Sequence, residues 1–263
     1  MLTDLFKTFT IVDIETTTLD GDIGEIIESA VGRYRNNDWV VETKLFGSKN
    51  SIDPASSAMT HISNRMIAGL PKFGEKIGED LYIVAYDWAL YRVAHNAQYD
   101  RAFIAKKVSA LGLDVVDFLN GGDWICTLNL AKKLLEGKAE KFNLNYLRYF
   151  LELDVPDDYI AHRAGNDVYI TCKLFEHLVM MMIEQGLIDL EKNIGQQIVE
   201  YTNKVEPYQV WPFGKHKGQT FSEVPDSYYA WAIENMDALK EGDAKYDARL
   251  AYSITKYFES KDS

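Results

Sequence analysis

The chain has 263 residues, of which 47% are hydrophobic, so it is long enough to bury a core and to carry a small unit beside one domain of ordinary size. Its 28 basic and 40 acidic residues give a formal net charge of −12 at pH 7, which argues against a broad electrostatic contact with a long duplex. The sequence has no apolar run of membrane-spanning length and no N-terminal secretory signal, so we expect a cytoplasmic protein without a membrane partner.

The first part of the chain is predicted to form a three-stranded antiparallel meander. The apolar patterns of strands occur at residues 9–14, 25–34 and 39–46. Gly21 and Gly24 favour a turn after the first strand, and the Asn-Asn-Asp sequence at 36–38 favours a hairpin turn between the other two.

The middle of the chain is predicted to alternate helices with short strands. Helical patterns occur at residues 73–88, 98–111, 128–135, 144–151 and 163–184, and strands are expected at 91–94 and 124–127. Strands that are first antiparallel and then separated by helices indicate an α/β fold with a mixed five-stranded sheet flanked by helices. Cys126 and Cys172 are too few for a disulfide framework and are not spaced as a metal knuckle, so both are predicted to be buried thiols.

A small C-terminal module is predicted beyond a polar helix at residues 190–204, because the composition shifts there towards aromatic residues and lysines. We expect one domain at residues 1–200 and the module at 207–263. Its aromatic residues are Trp211, Phe213, Tyr228, Tyr229 and Trp231. Two interpretations stay open: the rings, with Lys215 and Lys217, contact nucleic acid, or the rings form the core that a module of about fifty residues needs.

The segment DIETT at residues 13–17 follows the first predicted strand and carries two acids. Alternate side chains of a strand share a face, so Asp13 and Glu15 project together while Ile14 points into the core. Two carboxylates at this spacing can bind one divalent cation. The alternative is a solvated strand end on which the acids have no joint role.

The segment HNAQYD at residues 95–100 places Asp100 where a strand has ended and a helix begins. Asn96 is the predicted N-cap of this helix. An acid in the first turn interacts favourably with the helix dipole, so helix stabilisation is the better explanation of Asp100 taken alone.

The segment HRAGND at residues 162–167 separates a histidine from an acid by five positions. On one continuous helix these two side chains would point about 140° apart. If the helix instead begins near residues 163–165, His162 lies on the preceding loop and its imidazole can turn towards a metal bound by Asp167. An imidazole, with its ordinary pKa of about 6.5, suits the removal of a proton from water near neutral pH.

Together the three segments predict a two-metal site. Asp13, Glu15 and Asp167 are expected to hold one divalent cation, and Asp13 with Asp100 a second one about 3.5–4 Å away. Ligation by oxygen alone favours Mg²⁺ or Mn²⁺, whereas zinc would require cysteine or more histidine.

The ordered set of these segments resembles the DEDDh (DnaQ-like) 3′→5′ exonucleases. The resemblance covers about residues 8–183 and implies a ribonuclease H-like fold. It also implies that Asp13, Glu15, Asp100 and Asp167 are the metal ligands and that His162 is the general base. All five catalytic positions are filled, which argues against an inactive relative.

Within this family the chain resembles the exodeoxyribonuclease X type. The resemblance rests on three segments, VAHN at 93–96, DWICT at 123–127 and FGKHKG at 213–218. The module at 207–263 is therefore expected to be of that type. The family implies that Thr16 and Thr17 flank the terminal 3′-hydroxyl and that Leu19 wedges beside the last base. It further implies that His61, in the loop at 59–62, and Asn96 contact the nucleotide. Thr18 departs from the family, because many members carry glycine before that leucine.

The function that the resemblance implies is a metal-dependent exonuclease that releases nucleoside 5′-monophosphates from DNA 3′ ends, for example in DNA repair. A second reading is an exoribonuclease acting on short RNAs or RNA tails, and tolerance of the 2′-hydroxyl would distinguish the two. A third is a non-catalytic nucleic-acid-binding adaptor. The expected partner is a nucleic acid 3′ end, DNA before RNA, and the sequence leaves open whether the protein is a dimer.

Overall fold

The computed structural model describes residues 5–76, 78–80, 90–114, 124–240 and 247–261, and the chain divides into two compact units, Met1–Asn203 and Lys204–Ser263. The strands of the first unit are β1 (Phe9–Thr16), β2 (Ile26–Arg35), β3 (Asp38–Leu45), β4 (Tyr91–Ala94) and β5 (Trp124–Cys126). Its helices are α1 (Pro54–Thr60), α2 (Asn64–Ile67), α3 (Ala97–Ala110), α4 (Thr127–Leu134), α5 (Leu144–Phe150), α6 (Ala164–Glu184) and α7 (Ile194–Asn203).

The described strands form one mixed five-stranded sheet in the order β3-β2-β1-β4-β5. β2 pairs antiparallel with both β1 and β3, whereas β4 pairs parallel with β1 and β5. Asn36 and Asn37 close the β2–β3 hairpin with φ angles of 53° and 65°, a left-handed conformation that asparagine tolerates better than most residues. The predicted meander and mixed sheet are confirmed.

β1 is the central strand, and each of its faces packs against a helix. Phe9 and Ile11 belong to a core that includes Phe175 of α6, and the rings of Phe9 and Phe175 lie 4.9 Å apart. Val12 and Ile14 belong to the core on the opposite face, which α3 covers. The alternation of side chains along β1 therefore places Asp13 on the same face as Ile11, under the helix that carries Asp167.

Two predicted helices start later in the structure than the sequence pattern suggested. Residues 73–76 form a turn, because Gly74 has a φ of +95° and the buried Asp80 carboxylate accepts hydrogen bonds from the N–H groups of Gly74 (2.7 Å) and Lys76 (3.3 Å). Residues 78–80 are helical, and positions 77 and 81–88 of that prediction lie outside the described residues. The polar helix predicted from residue 190 begins at Ile194 because the Asn193 side chain accepts from Gln196 N–H (3.0 Å) and caps it.

The prediction of two buried thiols is right for Cys172 and wrong for Cys126. Both cysteines are free, and Cys172 is buried in α6. Cys126 is half-buried because β5 ends there, and its side chain lines a cleft together with Asn96 and Asn203. Asp123, the first residue of the DWICT segment, lies outside the described residues.

The second unit contains α8 (Asp226–Asn235), α9 (Ala248–Lys261) and an aromatic core of its own. Trp211 and Tyr229 are fully buried there, with ring centroids 5.7 Å apart, so these two rings have the packing role. Trp231 is 50% exposed, and Lys215 and Lys217 are exposed on either side of the buried His216. Contact of these lysines with nucleic acid stays a prediction, as does assignment of the unit to the exodeoxyribonuclease X type.

The described helices are too short or too polar to cross a membrane. The longest of them is α6, at 21 residues. None of these helices combines the length and the apolar character that a bilayer crossing requires.

Candidate active site

Three carboxylates meet where β1 ends and α6 begins. Asp13 and Glu15 lie on β1, and Asp167 lies in the first turn of α6. One oxygen from each of the three groups lies within 4.8 Å of the other two, which is close enough for a single cation to contact all three. The three side chains are half-buried, so a bound cation would be partly shielded from water.

Gly165 allows the start of α6 to approach the sheet this closely. A Cβ atom at that position would lie 2.5 Å from Oγ1 of Thr43 on β3. Any larger residue at Gly165 would therefore push the first turn of α6, and Asp167 with it, away from the strands. The glycine in the HRAGND segment thus has a packing role in the site.

Asp100 is the fourth carboxylate, and it approaches the cluster from α3. Its side chain is 3% exposed, and its Oδ1 atom accepts a hydrogen bond from the backbone N–H of Ile14 (3.3 Å). Ile14 separates Asp13 from Glu15, so this bond fixes Asp100 beside both. Helix stabilisation at a solvated helix end, the alternative explanation of Asp100, does not describe a buried group held by a neighbouring strand.

All four carboxyl groups have raised pKa values in the metal-free site. Burial is the largest cause, and it raises the pKa of Glu15 to about 8, of Asp100 to about 7 and of Asp167 to about 6. The pKa of Asp13 lies well above its usual range through burial and then through repulsion from Asp100. A divalent cation would relieve this repulsion, and a set of carboxylate oxygens fits a hard cation such as Mg²⁺ or Mn²⁺.

The raised pKa values predict how pH affects the stability of the metal-free protein. Asp and Glu titrate near 3.8 and 4.5 when unperturbed, so between those values and about 8 the folded chain binds more protons than the unfolded one. The contribution of the cluster to the free energy of unfolding therefore falls as the pH rises through this window. We expect the Tm in the presence of chelator to fall from pH 5 to pH 8, and Glu15→Gln to reduce that fall.

The stabilisation of the protein by Mg²⁺ should also depend on pH. Ionised carboxylates bind the cation and protonated ones do not, so Mg²⁺ should raise the Tm more at pH 8 than at pH 5. Scanning calorimetry of the wild-type and Glu15→Gln proteins measures both effects. Equal stabilisation by Mg²⁺ at the two pH values would contradict the assignment of these groups as ligands.

His162 lies on the loop before α6, which begins at Ala164, so the histidine is outside the helix as predicted. Its side chain is exposed, and its backbone N–H donates to Oδ2 of Asp167 (2.9 Å). The φ angle of His162 is 64°, a left-handed conformation that non-glycine residues adopt only where their surroundings hold it. Burial raises the pKa of Asp167, while this hydrogen bond and then the charge of His162 lower it.

A cleft of about 220 Å³ adjoins Glu15 and is lined by two of the five residues expected to bind substrate. Thr16 and Leu19 line it, and Leu19 is 73% exposed, so its side chain is free to contact a bound base. Thr17 is buried, and its hydroxyl accepts from Glu25 N–H (3.0 Å), which braces the turn after β1. The backbone at Thr18 is not left-handed, so glycine is not required there.

His61 and Asn96 are not brought to this cleft. The wall of the cleft formed by α1 includes Met59 and Thr60, whereas His61 follows the helix as its exposed, left-handed C-cap. Asn96 lines a second cleft of about 410 Å³, which shares Leu19 and Tyr99 with the first. Asn96 occupies the N-cap position of α3 as predicted, but its φ is 70° and its side chain makes no capping hydrogen bond.

Three residues near the site, Tyr99, Glu28 and Arg163, were not predicted from the sequence. Tyr99 lines the cleft beside Glu15, and its hydroxyl is hydrogen-bonded to Oγ1 of Thr16 (2.9 Å). Glu28 lies opposite Glu15 in the β1–β2 register and pairs with Arg163 at 2.6 Å. Glu28 could have been noticed in the sequence as a single acid within the apolar run of β2. Its contacts with Arg163 and Ala164 depend on the strand register and on the position of α6, which the sequence pattern does not give.

Comparison with known proteins places this geometry in a family. The family model RNase_T, described as Exonuclease, matches residues 10–175. The chain is 28% identical over 237 residues to exodeoxyribonuclease 10 of Escherichia coli K12, covering 87% of this chain and 92% of that protein. It is 29% identical over 267 residues to the PolC-type DNA polymerase III of Thermotoga petrophila, covering 92% of this chain and 18% of that protein.

Solved structures give the same result for the fold. A structure of exonuclease X in complex with 5′ overhanging duplex DNA has a TM-score of 0.52 and 27% identity, covering 72% of this chain and 99% of that chain. E. coli exonuclease I in complex with a dT13 oligonucleotide has a TM-score of 0.56 at 14% identity, covering 68% of this chain and 42% of that chain, a similarity of fold alone. The chain therefore belongs to the RNase_T exonuclease family, and to the DnaQ-like 3′→5′ exonucleases within it, with their ribonuclease H-like sheet.

Proposed function

We propose that this protein is a metal-dependent 3′→5′ exodeoxyribonuclease that hydrolyses phosphodiester bonds at DNA 3′ ends and releases nucleoside 5′-monophosphates. The observation that carries the proposal is the convergence of Asp13, Glu15 and Asp167 within 4.8 Å, at the end of the central strand and beside an open cleft. The choice of DNA is supported by exodeoxyribonuclease 10 and by the DNA-bound structure of exonuclease X.

The carboxylates are proposed to hold two divalent cations, Mg²⁺ or Mn²⁺. Asp13, Glu15 and Asp167 would bind one, and Asp13 with Asp100 the other. When bound, the cations supply a water of lowered pKa and stabilise negative charge on the transferring phosphate and the leaving oxygen. The backbone bonds from Ile14 to Asp100 and from His162 to Asp167 orient two of these carboxylates before any cation arrives.

His162 is proposed to take the proton from the attacking water. Its side chain is exposed, and its backbone N–H donates to Asp167, so the proposed base is linked directly to a proposed cation ligand. Leu19, exposed beside the cleft, is proposed to pack against the last base, and Thr16 to line the pocket of the terminal nucleotide. The cleft thus receives a strand end, which fits an enzyme with a net charge of −12 that needs few phosphate contacts.

Matched DNA and RNA oligonucleotides, labelled at either end, test this function. With Mg²⁺ we expect loss of the 3′ label first, a ladder of products that keep the 5′ label, and faster cleavage of DNA than of RNA. Chelator should stop the reaction because it removes the cations that are proposed to lower the pKa of the water and to stabilise the leaving oxygen. Early loss of the 5′ label or activity in chelator would contradict the proposal, and faster cleavage of RNA would favour the exoribonuclease.

A further inference from the structure

The buried Glu28 forms an ion pair with the partly exposed Arg163 beside the carboxylate cluster. Glu28 is 1% exposed and accepts hydrogen bonds from Nε (3.1 Å) and Nη2 (2.6 Å) of Arg163. Its Oε2 atom also accepts from the backbone N–H of Ala164 (2.9 Å). A two-point bond between guanidinium and carboxylate fixes direction as well as distance, so the pair ties β2 to the start of α6.

The pair also supplies the N-terminal cap that α6 otherwise lacks. Arg163 occupies the N-cap position, and its side chain makes no capping hydrogen bond. The Ala164 N–H at the start of the helix is instead satisfied by Glu28 from the neighbouring strand. The first turn of α6, which contains Asp167, is therefore held by the sheet.

Glu28 is a fifth acid beside the four proposed ligands. It lies opposite Glu15 in the strand register, and its charge contributes, after burial, to the raised pKa values of Asp13, Glu15 and Asp167. Both of its oxygens are engaged by Arg163 or Ala164, and the cluster of mutually close carboxylates is Asp13, Glu15 and Asp167. Arg163 compensates the charge of Glu28 and favours the ionised form of Glu15.

His162 directly precedes Arg163 and has the left-handed backbone noted above. A residue in that conformation needs neighbours that restrain it. The restraints are the bond from His162 N–H to Asp167 on one side and the anchored Arg163 on the other. Release of Arg163 would free the loop to relax and would move the imidazole away from Asp167.

We propose that Glu28 and Arg163 are a positioning pair, which fixes His162 and Asp167 against Asp13 and Glu15 and keeps the Glu28 carboxylate from binding the cations. The inference rests on the function proposed above. Neither residue is expected to touch the substrate. The effect of breaking the pair should therefore appear in kcat, with KM for an oligonucleotide nearly unchanged.

A double-mutant cycle of Glu28→Gln, Arg163→Gln and the double variant tests the pair. We expect Arg163→Gln to lower kcat by about 10- to 100-fold, the range found when groups that orient metal ligands are removed, with KM changed less than about 3-fold. The double variant should be no worse than Arg163→Gln, because a neutral pair of glutamines leaves no uncompensated carboxylate. Arg35→Gln, which removes an equal charge from the far end of β2, is the matched control and should leave kcat unchanged.

Calorimetric titration with Mn²⁺ alone gives a second readout that does not depend on activity. Loss of the anchor displaces the ligand Asp167, so Arg163→Gln should weaken Mn²⁺ binding by about 10-fold or more, and the added Glu28→Gln change should not restore the wild-type Kd. Unchanged kcat and Kd in Arg163→Gln, or multiplicative losses in the double variant, would overturn the inference. Absence of nuclease activity in the wild type would instead refute the proposed function, and the Mn²⁺ titration would still test the pair.

Discussion

Asp13→Ala is expected to reduce the rate of nucleotide release by ~10³-fold or more, which corresponds to about 4 kcal/mol of transition-state stabilisation. Asp13 belongs to the three-carboxylate cluster, and Asp100 is the neighbouring charge that most raises its pKa after burial. It is the carboxylate proposed to bind both cations. Its loss removes a ligand from each, whereas loss of Glu15 or Asp100 removes a ligand from one.

Two further variants distinguish lost chemistry from lost folding. Asp13→Asn should be as inactive as Asp13→Ala, yet in chelator it should raise the Tm above that of the wild type, because it removes a buried carboxylate with raised pKa. Asp158→Ala, which removes an exposed acid from the loop before His162, should keep full activity. Steady-state rates and calorimetry measure these effects. Wild-type activity in Asp13→Ala would mean that the site has been assigned wrongly.

His162→Ala is expected to lower kcat by about 10²- to 10⁴-fold, the usual contribution of a general base, while oligonucleotide binding stays close to that of the wild type. The side chain is exposed and no described hydrogen bond depends on it, since the bond to Asp167 comes from the backbone. The carboxylates therefore remain in place in the variant. Single-turnover kinetics with Mg²⁺ and binding measurements in Ca²⁺ separate the two quantities.

The control for this variant is His177→Ala, which removes a half-buried imidazole from α6. It should leave kcat unchanged after correction for any loss of Tm. A rise in KM with unchanged kcat in His162→Ala would assign the imidazole to substrate binding. Equal kcat in His162→Ala and the wild type would exclude a role for it as the base.

The parts of the site that could be predicted depend on local geometry. Strand alternation alone places Asp13 and Glu15 on one face, and the angle between helical positions five residues apart requires His162 to precede the helix of Asp167. Asp100 was placed correctly at the start of α3, but its burial and its bond to Ile14 follow from how α3 packs on the sheet. That packing is a tertiary property that spacing does not contain.

The parts that could not be predicted depend on register or on single capping bonds. Glu28 meets Arg163 only because β2 pairs with β1 in one register and Gly165 lets α6 approach β3. The helix expected from residue 73 is interrupted by the left-handed Gly74, which the side chain of Asp80 stabilises from six residues away. Apolar periodicity contains no information about either contact.

The proposed function requires that acids from three distant segments hold a pair of cations beside the cleft for a strand end. Anomalous diffraction from crystals soaked in Mn²⁺ with a nucleoside 5′-monophosphate tests it most directly. We expect two manganese peaks, one contacted by Asp13, Glu15 and Asp167 and the other by Asp13 and Asp100, with the base of the nucleotide beside Leu19. A carboxylate cluster without manganese while nucleotide occupies the cleft would contradict the claim.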